Sequence, residues 1–275
     1  MNFTERLSQA VATSKSLLCV GLDPDPLKLP PEFRGTAEPF FAFNQRIVAA
    51  TCDLAAAYKP QIAFYSAQGA EEELVRSIAF IRERAPHALV ILDAKRNDIG
   101  NTAEAYAREA FERYKADAVT VNPYMGEDSV APFLKDAKFG AVLLCRTSNP
   151  GARDFQDLKV DGLPLYRRVA ERAANSWNRQ QNLMLVVGAT VPAEMADLRR
   201  AHPQLPFLVP GIGAQGGDLR ATLEAGLTAR GDGLLISASR SIIYAGDAQA
   251  VRGAAAELHG LINAHRQKLP RARSA

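Results

Sequence analysis

At 275 residues, 47% of them hydrophobic, the chain has the size of a single α/β barrel of about 250 residues. Its 33 basic residues nearly balance 30 acidic ones, giving +3, and they are spread along the chain rather than gathered into a stripe, which argues against nucleic-acid binding. Three cysteines, Cys19, Cys52 and Cys145, stand in apolar or mixed runs without CxxC spacing, which argues against a disulfide framework and a zinc site and favours a reducing cytoplasm.

The N-terminus carries an acid, Glu5, and reads as a short amphipathic helix without the apolar core of a signal peptide. No later run of about 18 uncharged apolar residues predicts a membrane span. Eight short apolar runs follow and are expected as strands: Leu17–Leu22, Ala57–Ile62, Leu89–Leu92, Ala118–Val121, Ala141–Cys145, Met184–Val187, Phe207–Val209 and Gly233–Ile236. Their near-continuous hydrophobicity suits strands covered on both faces. Between them lie segments of helical period, among them Glu71–Arg84, Thr102–Tyr114, Leu165–Gln180, Ala193–Arg200, Gly217–Ala225 and Ala248–His265. This alternation predicts one (β/α)8 TIM barrel over residues 1–265. The final stretch, 266–275, has four basic residues and little to bury, so it is expected to be a disordered tail. The strongest loop signal, Thr147–Gly162, is expected to act as a mobile lid.

With the strands so placed, Asp23, Lys59, Asp93, Lys95, Ser148, Gly211 and Arg240 all fall at or just beyond strand C-terminal ends, the rim at which barrel active sites form. The third strand ends in Asp93-Ala94-Lys95-Arg96-Asn97-Asp98, an Asp-x-Lys-x-x-Asp spacing. Period two places Asp93 and Lys95 on one side of a strand. A strand-end salt bridge with Asp98 capping the Thr102–Tyr114 helix is one account of these residues. Chemistry is the other, and Lys59 favours it, because a barrel interior has little reason to host several charges unless they pair for function. After the seventh strand come closely spaced glycines, from Gly211 to Gly217, and after the eighth comes Ser239-Arg240-Ser241. Backbone N–H groups there and the Arg240 guanidinium are suited to a phosphate.

On these segments the sequence resembles the orotidine 5′-phosphate decarboxylase family, in the bacterial branch that carries Asp-Ala-Lys-Arg-x-Asp-Ile-Gly-x-Thr-Ala, here Asp93 to Ala103. Gly21-Leu22-Asp23, Tyr58-Lys59-Pro60, Thr147 to Gly151, Pro210 to Asp218 and Ser239 to Ile242 look like the family's other site segments in the same order. The resemblance implies the same eightfold barrel, homodimers with sites at the subunit interface, and conversion of orotidine 5′-phosphate to UMP and CO2 without a cofactor or metal. It implies that Asp23 and Lys59 hold ribose hydroxyls and that Asp93 sits beside the substrate carboxylate. Lys95 would donate a proton to C6, and Asp98 with Thr102 would reach the partner subunit's site. Ser148 would contact the pyrimidine, while Gly211, Gly213, Gln215 and Arg240 would hold the phosphate. Arg96 and Asn97 are assigned no role.

Loss of CO2 from C6 leaves a carbanion in the ring plane with no attached electron sink, so stabilisation has to be electrostatic. The four histidines, His87, His202, His259 and His265, are scattered and suggest no metal site. The rivals are a magnesium-dependent keto-sugar-phosphate decarboxylase or aldolase on the same scaffold, a Schiff-base aldolase using Lys95 or Lys59, and a non-catalytic pyrimidine nucleotide sensor. The first would need a glutamate beside Lys59, where Gln61 and Ser66 stand instead. The second would prefer a lysine in an apolar pocket rather than between acids.

Overall fold

The computed structural model describes residues 1–212 and 216–268, and eight parallel strands close into the expected TIM barrel. They are β1 Leu18–Leu22, β2 Ala57–Pro60, β3 Leu89–Arg96, β4 Ala118–Val121, β5 Gly140–Arg146, β6 Leu183–Val187, β7 Phe207–Pro210 and β8 Leu234–Ala238. Each pairs with the next, and β8 returns to β1 through Leu18 opposite Ile236. Every residue of β1, β2, β4, β6 and β8 is buried, the pattern of strands covered by side chains inside and helices outside.

The helix Phe3–Ser14 starts at a capping box in which Asn2 and Glu5 exchange side-chain and backbone bonds of 2.9 Å. It closes the end of the barrel at which the strands begin. There Phe3 is fully buried against Gly140, where any Cβ would come within 2.7 Å of its ring. Glu71–Arg84 forms as expected, with three acids in its first turn, two arginines in its last, and Leu74, Ser77, Ile78 and Ile81 facing inward.

Local contacts shift several other boundaries. β2 stops at Pro60 rather than Ile62 because Gln61 turns back to cap a short helix, Ile62–Ser66. The helix expected over Thr102–Tyr114 begins at Gly100 and widens at Glu109 into a π-helical turn. The one expected over Leu165–Gln180 widens likewise at Ala173 and ends at Asn178, whose side chain accepts from the Leu183 amide at 3.0 Å. Helices Pro39–Thr51 and Glu127–Leu134 escape the periodicity, the second because Pro132 lies inside it. The last helix runs to Arg266, which donates to the Gly231 carbonyl at 2.7 Å, so the ordered chain reaches into the segment expected as tail. Residues 269–275 lie outside the described residues.

The Thr147–Gly162 stretch is folded. A 3-10 turn at Pro150–Asp154 and a two-residue hairpin, Lys159–Val160 with Leu163–Pro164, occupy it. Gln156 accepts from the Thr147 amide at 2.9 Å and donates to the Thr147 hydroxyl at 2.8 Å, and the buried Arg146 pairs with Asp157 at 3.2 Å. No helix among the described residues is long and apolar enough to cross a membrane.

Where the later strands begin, one buried guanidinium replaces missing backbone partners. Arg199 donates to the carbonyls of Gly226 at 2.7 Å, Leu205 at 2.7 Å and Gly233 at 2.9 Å, and it lies 4.0 Å above the Phe207 ring. Burial pushes its pKa down to about 10. Arg199→Lys keeps the charge but cannot fork to three carbonyls, so it should cost about 2–3 kcal/mol. The expected reading is a lower urea midpoint with the site's ligand affinity unchanged; an unshifted midpoint would mean that these carbonyls find other partners.

Candidate active site

All eight strands deliver side chains from their C-terminal ends to one cavity of about 390 Å³. Its floor is a row of charges. Lys59 Nζ donates to Asp93 Oδ2 at 2.8 Å and Lys95 Nζ to Asp93 Oδ1 at 2.6 Å, so each carboxylate oxygen serves one ammonium group. Lys59 and Asp93 are each only 7% exposed, whereas the Lys95 side chain is 49% exposed toward the cavity.

Burial alone would discharge both inner groups, and their partners outweigh it. Burial raises the Asp93 pKa, but Lys59 and Lys95 hold its carboxyl well below the usual carboxylate range. Burial lowers that of Lys59, but Asp93 and then Asp23 hold it above the usual ammonium value. Asp23 lines the same cavity, with a buried Oδ1 that accepts no hydrogen bond among the described residues. Its backbone is held by Tyr244, whose hydroxyl donates to the Asp23 carbonyl at 3.1 Å and accepts from the Asp25 amide at 2.7 Å.

Asp93 and Lys95 meet for a reason other than strand period. Between the pairs Leu92–Val119 and Arg96–Val121, four steps along β3 oppose two along β4, so β3 is bulged. Lys95 lies in the left-handed region at φ 46°. Thr120 of β4 bridges the bulge, with its hydroxyl accepting from the Ala94 and Lys95 amides at 3.0 and 2.9 Å and donating to Asp93 Oδ1 at 3.0 Å.

Asp98 and Thr102 lie just past β3 and do not line the cavity of their own chain. Asp98 accepts from the Ile99 amide at 2.8 Å, and the helix beginning at Gly100 has Ile99 at its N-cap with no side-chain cap, so the capping account of Asp98 does not hold. Arg96 and Asn97 turn away to clamp structure. Arg96 forms a two-point bond with Glu109 at 3.0 and 2.9 Å, and Asn97 donates to the Asn122 carbonyl at 2.7 Å.

On the opposite wall, Gly211 (φ 102°), Ser148 and Arg240 line the cavity. The base of the glycine loop is pinched by the Gly217 amide donating to the Gly211 carbonyl at 3.1 Å. A Cβ at Gly217 would meet Ala189 at 2.5 Å, which excludes any larger residue. Gly213 and Gln215 lie outside the described residues. Arg240 is exposed and has no ion-pair partner among the described residues. The close approach of β6 to Ser148 needs Gly188, where a Cβ would stand 2.8 Å from that of Ser148.

Sequence reading alone passes over Thr120 and Ser237 and gives Gln61, Thr147 and Ser239 no role, and all five line the cavity. A hydroxyl in an otherwise apolar run near a barrel strand end is the signal for Thr120 and Ser237. Among the described residues, no group of three or more His, Cys, Asp or Glu side chains is gathered as a metal cage would require.

Comparison with known proteins points to one family. The family model described as orotidine 5′-phosphate decarboxylase / HUMPS matches residues 16–254. Orotidine 5′-phosphate decarboxylase of Cellvibrio japonicus (strain Ueda107) is 56% identical over 272 residues, 97% of this chain and 100% of its own. That of Cupriavidus metallidurans is 54% identical over 270 residues, 97% of this chain and 99% of its own. The solved structure of Leishmania donovani OMP decarboxylase matches with a TM-score of 0.85 and 42% identity, covering 97% of this chain and 99% of that one. Leishmania donovani UMP synthase matches with a TM-score of 0.88 and 45% identity, over 98% of this chain and 57% of the longer one. With the family model spanning most of its length and relatives above half identity end to end, the chain belongs to the orotidine 5′-phosphate decarboxylase / HUMPS family.

Proposed function

We propose that this chain converts orotidine 5′-phosphate to UMP and CO2 as a cofactor-independent carboxy-lyase. The observation that carries the reading is the charged row Lys59–Asp93–Lys95 on the floor of a polar cavity, in a chain whose full-length relatives bear that enzyme's name. The C6–carboxylate bond breaks and its electron pair stays on C6. An ammonium group fixed beside it offsets the new charge, and Lys95 Nζ then gives C6 a proton, to be replaced from water. Asp93 would sit beside the departing carboxylate.

The polar rim fits the rest of such a substrate. The buried, unpartnered Asp23 oxygen and Lys59 suit ribose hydroxyls, and Ser148 suits the pyrimidine edge. Gly211, Gly213, Gln215 and Arg240 would take the phosphate, whose binding energy far from C6 can be used to lower the barrier. Asp98 and Thr102 would serve the site of a second copy, making the enzyme a homodimer. Exposed Ile99, Tyr124 and Met125 around the ends of β3 and β4 fit a surface covered in that way. Free thiols at Cys19, Cys52 and Cys145 suit the cytoplasm.

The test is the fall in pyrimidine absorbance when orotidine 5′-phosphate meets metal-free protein. Lys95→Ala should lower kcat by at least about 10⁴-fold while UMP still binds. No absorbance change with the unaltered protein would favour the keto-sugar-phosphate or sensor readings, and near-normal turnover by the variant would remove Lys95 from its role.

Sharing of Asp98 predicts complementation. Lys95→Ala and Asp98→Ala chains, each inactive, should recover about a quarter of normal activity when unfolded and refolded together, because half the dimers carry one intact site. Recovery of none would place Asp98 in its own chain's site, and an Asp98→Ala chain active by itself would place it outside the chemistry.

The row also sets a pH dependence. The depressed Asp93 pKa contributes stability above the unfolded carboxylate value of about 3.9, lost as pH falls further. The raised Lys59 pKa contributes stability below the unfolded ammonium value of about 10.4, lost as pH rises beyond it. Between those limits the pair adds no slope. In Asp93→Asn, burial takes over at Lys59, the folded pKa drops below the unfolded one, and stability should rise with pH between about 8 and 10. Urea midpoints measured over that range give the slope; a flat profile would mean that Asp23 alone keeps Lys59 charged.

A further inference from the structure

We infer that Thr120 is a positioning residue for the decarboxylation, setting where Lys95 presents its ammonium group. The inference rests on the decarboxylase reading of the same site, and nothing in that reading assigns Thr120 a part.

Thr120 is 2% exposed, in the run Ala118-Val119-Thr120-Val121 of β4. A hydroxyl has one donor and two acceptor positions. Here all three are used: the Ala94 and Lys95 amides donate to it, and it donates to Asp93 Oδ1. No freedom is left in the hydroxyl, so its proton is directed at the carboxylate.

Each of these bonds answers a defect in β3. The bulge takes two residues out of the ladder with β4, which leaves the Ala94 and Lys95 amides without backbone carbonyls to meet. An amide left unpaired at such a site is destabilising. Lys95 also carries a side chain at φ 46°, a conformation strained for a non-glycine residue. A bulge with those liabilities holds only where its surroundings supply the missing partners, and the Thr120 hydroxyl supplies both. Any change of the Lys95 backbone out of this conformation would displace its side chain relative to Asp93 Oδ1, which it now meets at 2.6 Å.

The third bond acts on the carboxylate itself. Oδ2 takes Lys59, and Oδ1 takes Lys95 together with Thr120, so the hydroxyl fixes which oxygen faces which lysine. Threonine suits this better than serine because branching at Cβ stiffens χ1. Thr120 does not approach the reacting atoms in order to act; its effect passes through Lys95 and Asp93.

The test compares Thr120→Val, Thr120→Ser and the unaltered enzyme in kcat, KM for orotidine 5′-phosphate and urea midpoint, with amide hydrogen exchange at Ala94 and Lys95. Valine preserves shape and removes the hydroxyl. It should lower kcat about 10²-fold, the scale of a misplacement near 1 Å, with KM within about threefold. Serine should stay within about threefold of normal in kcat. Protection of the two amides should fall in the valine variant and persist in the serine variant. Should valine prevent folding, Thr120→Cys, similar in size and a weak hydrogen-bonding group, takes its place with the same expected loss. A kcat within threefold of normal without the hydroxyl, or serine as damaging as valine, would overturn the proposal. If the unaltered protein proves inactive, the decarboxylase reading fails first, and the amide exchange still decides whether Thr120 holds the bulge.

Discussion

Asp93 has to keep the buried Lys59 charged while holding Lys95 in place, at the ends of two neighbouring strands, and most of the local architecture follows from that. Withdrawing an ion from water costs several kcal/mol even after the protein relaxes, so a lone Lys59 at 7% exposure would shed its proton. One carboxylate prevents this by dividing its oxygens between two ammonium groups. The arrangement has little tolerance. If Asp93 rotates, both ion pairs break together, so the hydroxyl of Thr120 and the bulge that brings Lys95 back toward Asp93 belong to the same electrostatic unit.

The barrel makes such a unit sustainable by dividing labour between its two ends. Where the strands begin, the ties are structural: Phe3 against Gly140, and Arg199 gathering the carbonyls of Leu205, Gly226 and Gly233. Where they end, close approach serves the site. Gly21 lets β1 pass Ser239, where a Cβ would come within 2.7 Å, and Gly188 does the same for β6 and Ser148. The positive φ of Lys95 lies at this second end, and burial of every residue in five of the strands holds the frame around it.

The legible parts of the sequence were those governed by local pattern. Eight apolar runs gave eight strands because each is buried on both faces, and the charged residues at their ends marked the rim. What stayed hidden depended on partners distant in sequence. Hydrophobicity stops at Leu92, yet β3 continues to Arg96, because Ala94 and Lys95 find a hydrogen-bonding group in Thr120, 25 or more residues away. Thr120 itself reads as an ordinary β-branched strand residue. Gln61 and Ile62 extend the apolar pattern of β2 but turn out of the strand, since the Gln61 side chain caps the next helix. Asp98 could be read from sequence as a helix cap or as a site residue. Only the geometry removes the first, because its oxygen bonds the adjacent Ile99 amide instead.

Counting donors shows what the row still requires. An ammonium group has three N–H bonds, and among the described residues Lys95 spends one of them, on Asp93. The other two cannot both be meant for water in a site that stabilises a carbanion by its field, because a freely hydrated ammonium has its charge screened. One has to be available to C6. The other calls for an acceptor that holds Lys95 toward the substrate, and among the described residues no unused carboxylate lines the cavity except Asp23, which is coupled to Lys59. Asp98 is two residues beyond β3 and outside its own cavity, so under the proposed sharing it would answer this need from a second copy. In the proposed dimer Asp98 would complete the electrostatics of Lys95, which within its own chain is oriented from one side alone, by Asp93.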